Sequence, residues 1–125
     1  KFRNTFAQDI AVNRIIIHFA AAIYKHLKLY ADIFADYRIN GPITIWVRKW
    51  YAIAFLHPDD VLLARDYLLE NIPHPFGILQ NGNIQQFVNY LNNQWINHGA
   101  NEVDQVSWRS LWNCYNISNI RTILH

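Results

Sequence analysis

Apolar residues recur at helical spacing along most of the chain. The first series begins at Phe19 and advances in steps of three or four residues, as an amphipathic helix requires. Its members are Phe19, Ile23, Leu27, Tyr30, Phe34 and Tyr37. The turn-forming run Asn40-Gly41-Pro42 ends this predicted helix.

The same spacing predicts three more helices. The second has an apolar side made of Ile43, Trp46, Val47, Trp50, Ile53 and Ala54, with Arg48 and Lys49 opposite. The third opens at His57-Pro58-Asp59-Asp60, because proline suits a first helical position and acids favour the first turn. Its apolar face is Val61, Ala64, Leu68 and Ile72. The fourth carries Ile84, Phe87, Val88, Leu91 and Trp95. Residues 73–82 and 98–107 are predicted loops, and the stretch from Trp108 onward is not assigned.

One segment has a different pattern. Ile15–Ile17 are three consecutive β-branched residues, which favour a short buried strand. A single strand has no partner within this chain. The chain also begins and ends inside patterned sequence and contains no Met. We therefore expect a piece of a longer protein. The predicted fold is mainly α, with about four amphipathic helices and one short N-terminal strand.

Composition narrows the classes of protein. The 125 residues suit one domain, and 52% hydrophobic residues exclude intrinsic disorder. A net charge of +2 is too small to indicate nucleic-acid binding by itself. No apolar run approaches the ~18–20 residues of a membrane span, so a soluble intracellular protein without a membrane partner is expected. The single cysteine, Cys114, excludes an internal disulfide framework.

Catalytic and metal-binding patterns are weak. Asp59 and Asp60 are adjacent, so they point to different sides of a helix, and helix capping explains them better than a metal site. Asp32 and Asp36 lie one helical turn apart, as on a solvated face. The six histidines are scattered without metal-ligand spacing, although Cys114 could meet His18 across the fold. A buried, inert thiol is the favoured interpretation of Cys114.

Basic residues beside aromatic ones leave nucleic-acid contact open. Lys25 and Lys28 lie one turn apart on the first predicted helix, and Arg48 and Lys49 stand between Trp46 and Trp50 on the second. Cations beside aromatic rings can hold phosphates and stack bases. The helical spacing of the two tryptophans favours the hydrophobic core over base stacking.

A series of short motifs resembles a known family. The motifs are Ile15-Ile16-Ile17-His18-Phe19, Trp46-Val47-Arg48-Lys49, Ala52-Ile53-Ala54-Phe55-Leu56-His57-Pro58-Asp59-Asp60-Val61, Phe87-Val88-Asn89-Tyr90 with Trp95-Ile96, Leu111-Trp112-Asn113 and Arg121-Thr122. In this order they resemble the distal part of the transposase domain of Mutator-like elements (MULEs). The departures are Ile15 at the family's signature cysteine, Ala21 at a usual polar position, and Ile123-Leu124 instead of two asparagines.

The resemblance implies an RNase H-like DDE transposase that is interrupted by a helical insertion. Residues 1–18 would be the end of the RNase H-like core, residues 19–107 the helical insertion, and residues 108–125 the return towards the core. The catalytic aspartates would precede Lys1 and the catalytic glutamate would follow His125. No catalytic or metal-binding residue is therefore expected in this chain, which would be inactive alone. Mg²⁺ is implied for the intact enzyme.

The resemblance also implies a function in DNA transposition in the nucleus. DNA is the expected partner, contacted through Lys25, Lys28, Arg48 and Lys49, and a homo-oligomer stays open. His18 would be the remaining signature residue near the active-site edge, or a structural histidine at the start of a helix. Two alternatives also stay open. One is a domesticated, non-catalytic helical module that binds proteins, and the other is a small helical ligand carrier with a pocket lined by Trp46, Trp50 and Trp95.

Overall fold

The computed structural model describes Arg14, residues 17–74, Phe76 and residues 82–115. Within these residues the chain forms six α-helices and no strand, so the mainly α prediction is confirmed. The helices are α1 (17–27), α2 (Ala31–Arg38), α3 (Pro42–Ala52), α4 (Val61–Glu70), α5 (Gly82–Leu91) and α6 (Glu102–Trp112). Two 3₁₀ turns, Ile53–Phe55 and Pro58–Asp60, link α3 to α4, and a π-helical turn, Asn92–Ile96, extends α5.

The N-terminal strand is not supported. Of the three isoleucines, Ile15 and Ile16 lie outside the described residues, and Ile17 lies in α1 with 64% of its surface exposed. Helix α1 begins before the buried stripe that starts at Phe19, and the helix penalty of one exposed β-branched residue is too small to prevent this. An RNase H-like portion over residues 1–18 is likewise not supported in the residues that are described, which show helix there.

The first predicted helix is two helices. α1 ends at Leu27 and α2 begins at Ala31, and the amide of Tyr30 bonds the carbonyl of Leu27 at 3.1 Å across the turn between them. Spacing alone did not reveal this break, because Leu27 and Tyr30 keep a three-residue step and no Gly or Pro marks the turn. The apolar stripe is nevertheless buried at Phe19, Ile23, Leu27 and Tyr30.

The turn between α2 and α3 occurs where Asn40-Gly41-Pro42 predicted it. Asn40 has a positive φ of 58°, a conformation that asparagine tolerates better than most residues. Pro42 takes the first position of α3. The carboxylate of Asp36 reaches across Gly41 to accept a 2.8 Å hydrogen bond from the amide of Ile43. A side chain on Gly41 would collide with that carboxylate, so glycine is required there for the close approach.

The core is built around α3. Every apolar position that was predicted for this helix and the turn after it is buried, namely Ile43, Trp46, Val47, Trp50, Ile53 and Ala54. The indole N–H of Trp46 donates a 2.9 Å hydrogen bond to the carbonyl of Leu68, which ties α3 to α4. From α5, Phe87 brings its ring to 6.3 Å from that of Trp46. These contacts make one continuous core among α1 to α5.

The prediction of a loop over residues 98–107 holds only for residues 98–101 and is wrong from Glu102 onward, where α6 begins. Its N-terminus is capped by Asn101, whose side chain accepts a 3.0 Å hydrogen bond from the amide of Asp104. The first residues of α6 are mostly polar. Farther along, the indoles of Trp108 and Trp112 donate hydrogen bonds to carbonyls of the π-helical segment that follows α5. Asparagine capping and the four-residue step between these tryptophans were the available sequence signals.

The chain after α6 returns to the end of α3. The amide of Cys114 donates a hydrogen bond of 2.6 Å to the carbonyl of Ala54, and the side chain of Asn113 donates one of 2.9 Å to the carbonyl of Leu56. Both residues are buried. This segment therefore fastens α6 to the turn between α3 and α4.

Candidate functional site

Aromatic rings and cations from three helices meet on one face of the protein. The ring of Tyr24 in α1 lies 5.8 Å from both Phe34 and Tyr37 in α2. We call this surface the cation–aromatic face. It consists of Tyr24 and Lys28 from α1 and its following turn, Phe34, Tyr37 and Arg38 from α2, and Arg48 and Tyr51 from α3.

Two of the cations lie over aromatic rings. The Nζ of Lys28 is 5.1 Å from the centre of the Tyr24 ring, and the Cζ of Arg38 is 5.8 Å from the centre of the Phe34 ring. Both distances fall within the range of cation–π attraction. Each pair is separated by four residues, one helical turn. The rings therefore restrict where the two exposed cations point.

The third cation of this face is Arg48, which lies near the tyrosine pair Tyr51 and Tyr37. Tyr51 and Tyr37 share a side-chain hydrogen bond, and Arg48 is close enough to act electrostatically on Tyr51. Burial, followed by the hydrogen bond to Tyr37, raises the pKa of Tyr51 well above its ordinary value. Tyr51 is therefore neutral at physiological pH, and the positive charge of Arg48 is not cancelled by a phenolate.

The structure brings together only part of the predicted DNA-binding set. Lys28 and Arg48 belong to the cation–aromatic face. Lys25 is exposed on α1, one turn before Lys28. Lys49 instead borders an apolar groove between α3 and α4. The ion pairs found in the described part of the chain are Arg65–Asp66 and His57–Asp59, so they use other residues.

Sequence reasoning missed Arg38. The sequence feature that could have identified it is Phe34, four positions earlier, because the same spacing separates Tyr24 from Lys28. The same reasoning correctly favoured the core for Trp46 and Trp50, which are 3% and 1% exposed. Neither indole can stack on a base.

The acidic residues have structural roles. Asp36 accepts the hydrogen bond from the N-terminus of α3, and Asp32 accepts one of 2.9 Å from the side chain of Asn83. Both are partly buried, so the expected solvated face is wrong for this pair. Asp59 and Asp60 lie in the 3₁₀ turn before α4, but Asp60, the N-cap residue of α4, makes no side-chain capping hydrogen bond. The capping side chain of this turn is His57, whose ring accepts a 3.1 Å hydrogen bond from the amide of Asp59.

No metal centre is evident in the described residues. They contain no group of three or more His, Cys, Asp or Glu side chains placed to hold an ion. These residues therefore do not fit the Mg²⁺ of a DDE enzyme. Cys114 is fully buried, and burial raises the pKa of its thiol, in line with the predicted inert cysteine.

His18 and His26 lie on different sides of α1. His18 is exposed beside a pocket lined by tryptophans. His26 stacks on Tyr90 with ring centres 3.6 Å apart and shares a 2.9 Å hydrogen bond with the hydroxyl of Tyr30. His26 therefore holds α1 against α5, whereas His18 has no such packing role.

We expect acid to destabilise the fold through His26. Burial lowers the pKa of its imidazole below the ordinary value of 6.5, so the unfolded chain binds the proton more tightly. The stabilisation is complete above that value and is lost as the pH falls from it towards the lowered pKa of the folded state. Thermal unfolding measured across this window should show the loss.

Two variants separate His26 from other titrating groups. His26→Phe keeps a ring against Tyr90 and removes the titration, so its melting temperature should change less with pH. His18→Ala removes the other histidine of α1, which is exposed, and is the control for the loss of a histidine from this helix. An undiminished acid transition in His26→Phe would contradict the assignment.

Comparison with known proteins finds no matching protein-family model, no matching curated protein and no matching solved structure. The resemblance to Mutator-like transposases therefore depends on the sequence motifs alone. Among the described helices, none is long and apolar enough to cross a membrane.

Proposed function

We propose that this chain is a DNA-contacting helical part of a Mutator-like transposase, or of a protein derived from one, acting in the nucleus. The observation that carries the proposal is the cation–aromatic face, which presents Lys28 from the turn after α1, Arg38 from α2 and Arg48 from α3. The ordered series of family-like motifs supports the choice of family. The proposed partner is duplex DNA, bound through its phosphates.

The face suits phosphate contact better than base reading. Its cations are exposed, while Phe34, Tyr37 and Tyr51 are partly buried by their own packing, and the exposed ring of Tyr24 lies under Lys28. The rings therefore orient the cations and offer little free surface for bases. Contacts between cations and phosphates provide affinity without sequence preference, and they weaken as salt rises because bound counterions are released. A protein with a net charge of only +2 gains such affinity by concentrating its cations on one surface.

Salt-dependent binding to duplex DNA tests this proposal. Lys28→Ala and Arg48→Ala should each weaken binding for all DNA sequences and reduce the slope of log K against log salt by about one. Lys49→Ala is the matched control, because it removes the same charge from the adjacent residue, which faces the α3–α4 groove. Fluorescence anisotropy with a labelled duplex at several salt concentrations measures both quantities.

The control also decides between two surfaces. An effect of Lys49→Ala as large as that of Arg48→Ala would show that α3 binds DNA without the cation–aromatic face. An affinity for duplex DNA that changes neither with salt concentration nor with any of the three substitutions would contradict the proposal.

A second candidate function is a protein-interaction module. The observation in its favour is the apolar groove of about 270 Å³ between α3 and α4, which is lined by Lys49, Ala52, Ile53, Leu56, Ala64, Tyr67 and Leu68. Tyr67 is 56% exposed at this groove. Partner capture or self-association that persists at high salt and is lost in Tyr67→Ala would favour this module over DNA contact.

A further inference from the structure

A second pocket lies where α1, the π-helical turn and α6 meet. It has a volume of about 270 Å³ and is lined by Arg14, His18, Phe19, Trp95, Trp108, Leu111 and Trp112. Drug-sized ligands occupy pockets of roughly 300–1,000 Å³, so this one suits a single small ring system. None of these residues belongs to the cation–aromatic face.

The inner wall of the pocket is a rigid group of aromatic rings. Phe19 stacks on Trp112 with ring centres 4.9 Å apart and planes within 6°, and it meets Trp95 edge-on at 4.9 Å. Trp108 lies 5.9 Å from Trp95 at a tilt of 31°. Phe19 and Trp112 are buried, whereas Trp95 and Trp108 are partly exposed. The pocket therefore offers preformed aromatic surface to a ligand.

The three indole N–H groups already have partners within the protein. Trp108 donates to the carbonyl of Gln94 at 2.9 Å, Trp112 to the carbonyl of Trp95 at 3.0 Å, and Trp95 to the hydroxyl of Tyr90 at 3.2 Å. These hydrogen bonds hold the three indoles in place. A ligand can therefore contact only the faces and edges of the rings, not their N–H groups. A ligand would be held by stacking, which tolerates any planar ring.

The rim of the pocket is basic. Arg14 and His18 are exposed, and both line the pocket. No carboxylate is among the lining residues. Guanidinium and imidazole groups both donate hydrogen bonds, and arginine forms strong paired bonds with phosphate oxygens. The rim therefore complements an anion that is attached to the stacked ring.

We propose that this pocket binds a nucleotide, with its base against Trp95 and Trp108 and its phosphate at Arg14 and His18. The proposal combines aromatic stacking, a basic rim and a volume suited to one base. It does not require the proposed DNA-contacting function, because the two surfaces share no residue. The nucleotide has two potential sources, a free mononucleotide or one unit of a single strand, and both present the same chemistry.

Indole N–H signals in a nitrogen–proton correlation spectrum test the proposal residue by residue. The chain has five tryptophans, and two of them, Trp46 and Trp50, are buried in the core and serve as internal controls. Adenosine monophosphate should shift the signals of Trp95, Trp108 and Trp112 and leave the two core signals in place. Adenosine and inorganic phosphate, titrated separately, supply the ring and the anion alone and should each bind more weakly.

Substitutions of the exposed side chains at the rim complete the test, because they should not disturb the fold. Arg14→Ala should weaken nucleotide binding about tenfold, as expected for a lost charge-assisted hydrogen bond. His18→Ala should weaken it less, because imidazole offers fewer hydrogen-bond donors than guanidinium. Lys25→Ala, which removes an exposed cation from α1 outside the pocket, should have no effect.

The outcomes also separate the two sources and the two proposals. Stronger binding of a short single strand than of the mononucleotide would identify a strand as the source, and the reverse would identify the free nucleotide. Absence of shifts at millimolar nucleotide, equal binding of adenosine, or an unchanged affinity in Arg14→Ala would overturn the proposal. Lys28→Ala and Arg48→Ala should leave nucleotide binding intact, so a failure of duplex-DNA binding stays distinguishable.

Discussion

Trp46→Phe is expected to lower the free energy of unfolding by about 2–4 kcal/mol, and Trp50→Phe by about 1 kcal/mol less. Both changes remove part of a buried indole from α3 and leave a cavity in the core. The difference lies in the hydrogen bonds. Trp46 donates to the carbonyl of Leu68, whereas the N–H of Trp50 is buried with no partner in the described part of the chain.

The hydrogen bond from the indole of Trp46 to the carbonyl of Leu68 joins α3 to the end of α4. The remaining hydrogen bond of this carbonyl in the structure comes from the amide of Asn71 at the longer distance of 3.3 Å. Trp46→Phe therefore weakens the attachment of α4 as well as the packing of the core. Trp50→Phe instead removes a polar group whose burial was uncompensated, which offsets part of its cavity cost.

Denaturant unfolding of the two variants measures this difference directly. The paired design controls for the volume that is lost, because the same side-chain change is made twice on one helix. Equal destabilisation would show that the hydrogen bond to Leu68 contributes nothing. Greater loss in Trp50→Phe would show that packing outweighs hydrogen bonding at both positions.

Much of the α3 core could be predicted from the sequence, because Trp46, Trp50 and their neighbours repeat at helical spacing and become buried. The turn at Gly41 could also be predicted, because Asn, Gly and Pro favour turns whatever surrounds them. Such local signals need no knowledge of the rest of the fold. The buried face of α5, including Phe87, followed from the same pattern.

The errors occurred where spacing and composition give little local information. Helix α6 starts in polar sequence, and its cap at Asn101 does not stand out among many asparagines. The break between α1 and α2 preserves the apolar stripe. At Ile17, β-branching favoured a strand, whereas the structure includes this exposed residue in α1.

The candidate sites were harder to foresee than the core. Arg38 and Tyr51 join Lys28 only when α1, α2 and α3 pack together, and no spacing within one helix predicts that contact. The tryptophan pocket likewise combines α1 with residues about 80 positions later. The sequence identified Lys28 and Arg48 as basic residues near aromatic ones, but it placed Arg48 beside Trp46 and Trp50, which are buried in the core, instead of beside Tyr51.

Asn113→Ala is expected to lower the free energy of unfolding by about 2–3 kcal/mol. The side chain is buried, donates to the carbonyl of Leu56 at 2.9 Å and accepts from the amide of Tyr115 at 2.9 Å. Alanine loses both hydrogen bonds and leaves the groups they satisfied without a side-chain partner. The matched control is Asn71→Ala, whose single side-chain bond to Tyr67 is exposed and should cost well under half as much.

Asn113→Asp distinguishes lost hydrogen bonding from lost volume. At neutral pH a carboxylate would face the carbonyl of Leu56, to which it cannot donate, so the loss of stability should exceed that of Asn113→Ala. Protonation at acid pH restores a donor, so part of the stability should return as the pH falls. Chemical denaturation of both variants at neutral and acid pH measures this reversal. An aspartate variant that is more stable at neutral than at acid pH, after correction for the wild-type dependence, would show that Asn113 does not hold α6 to the end of α3 through this hydrogen bond.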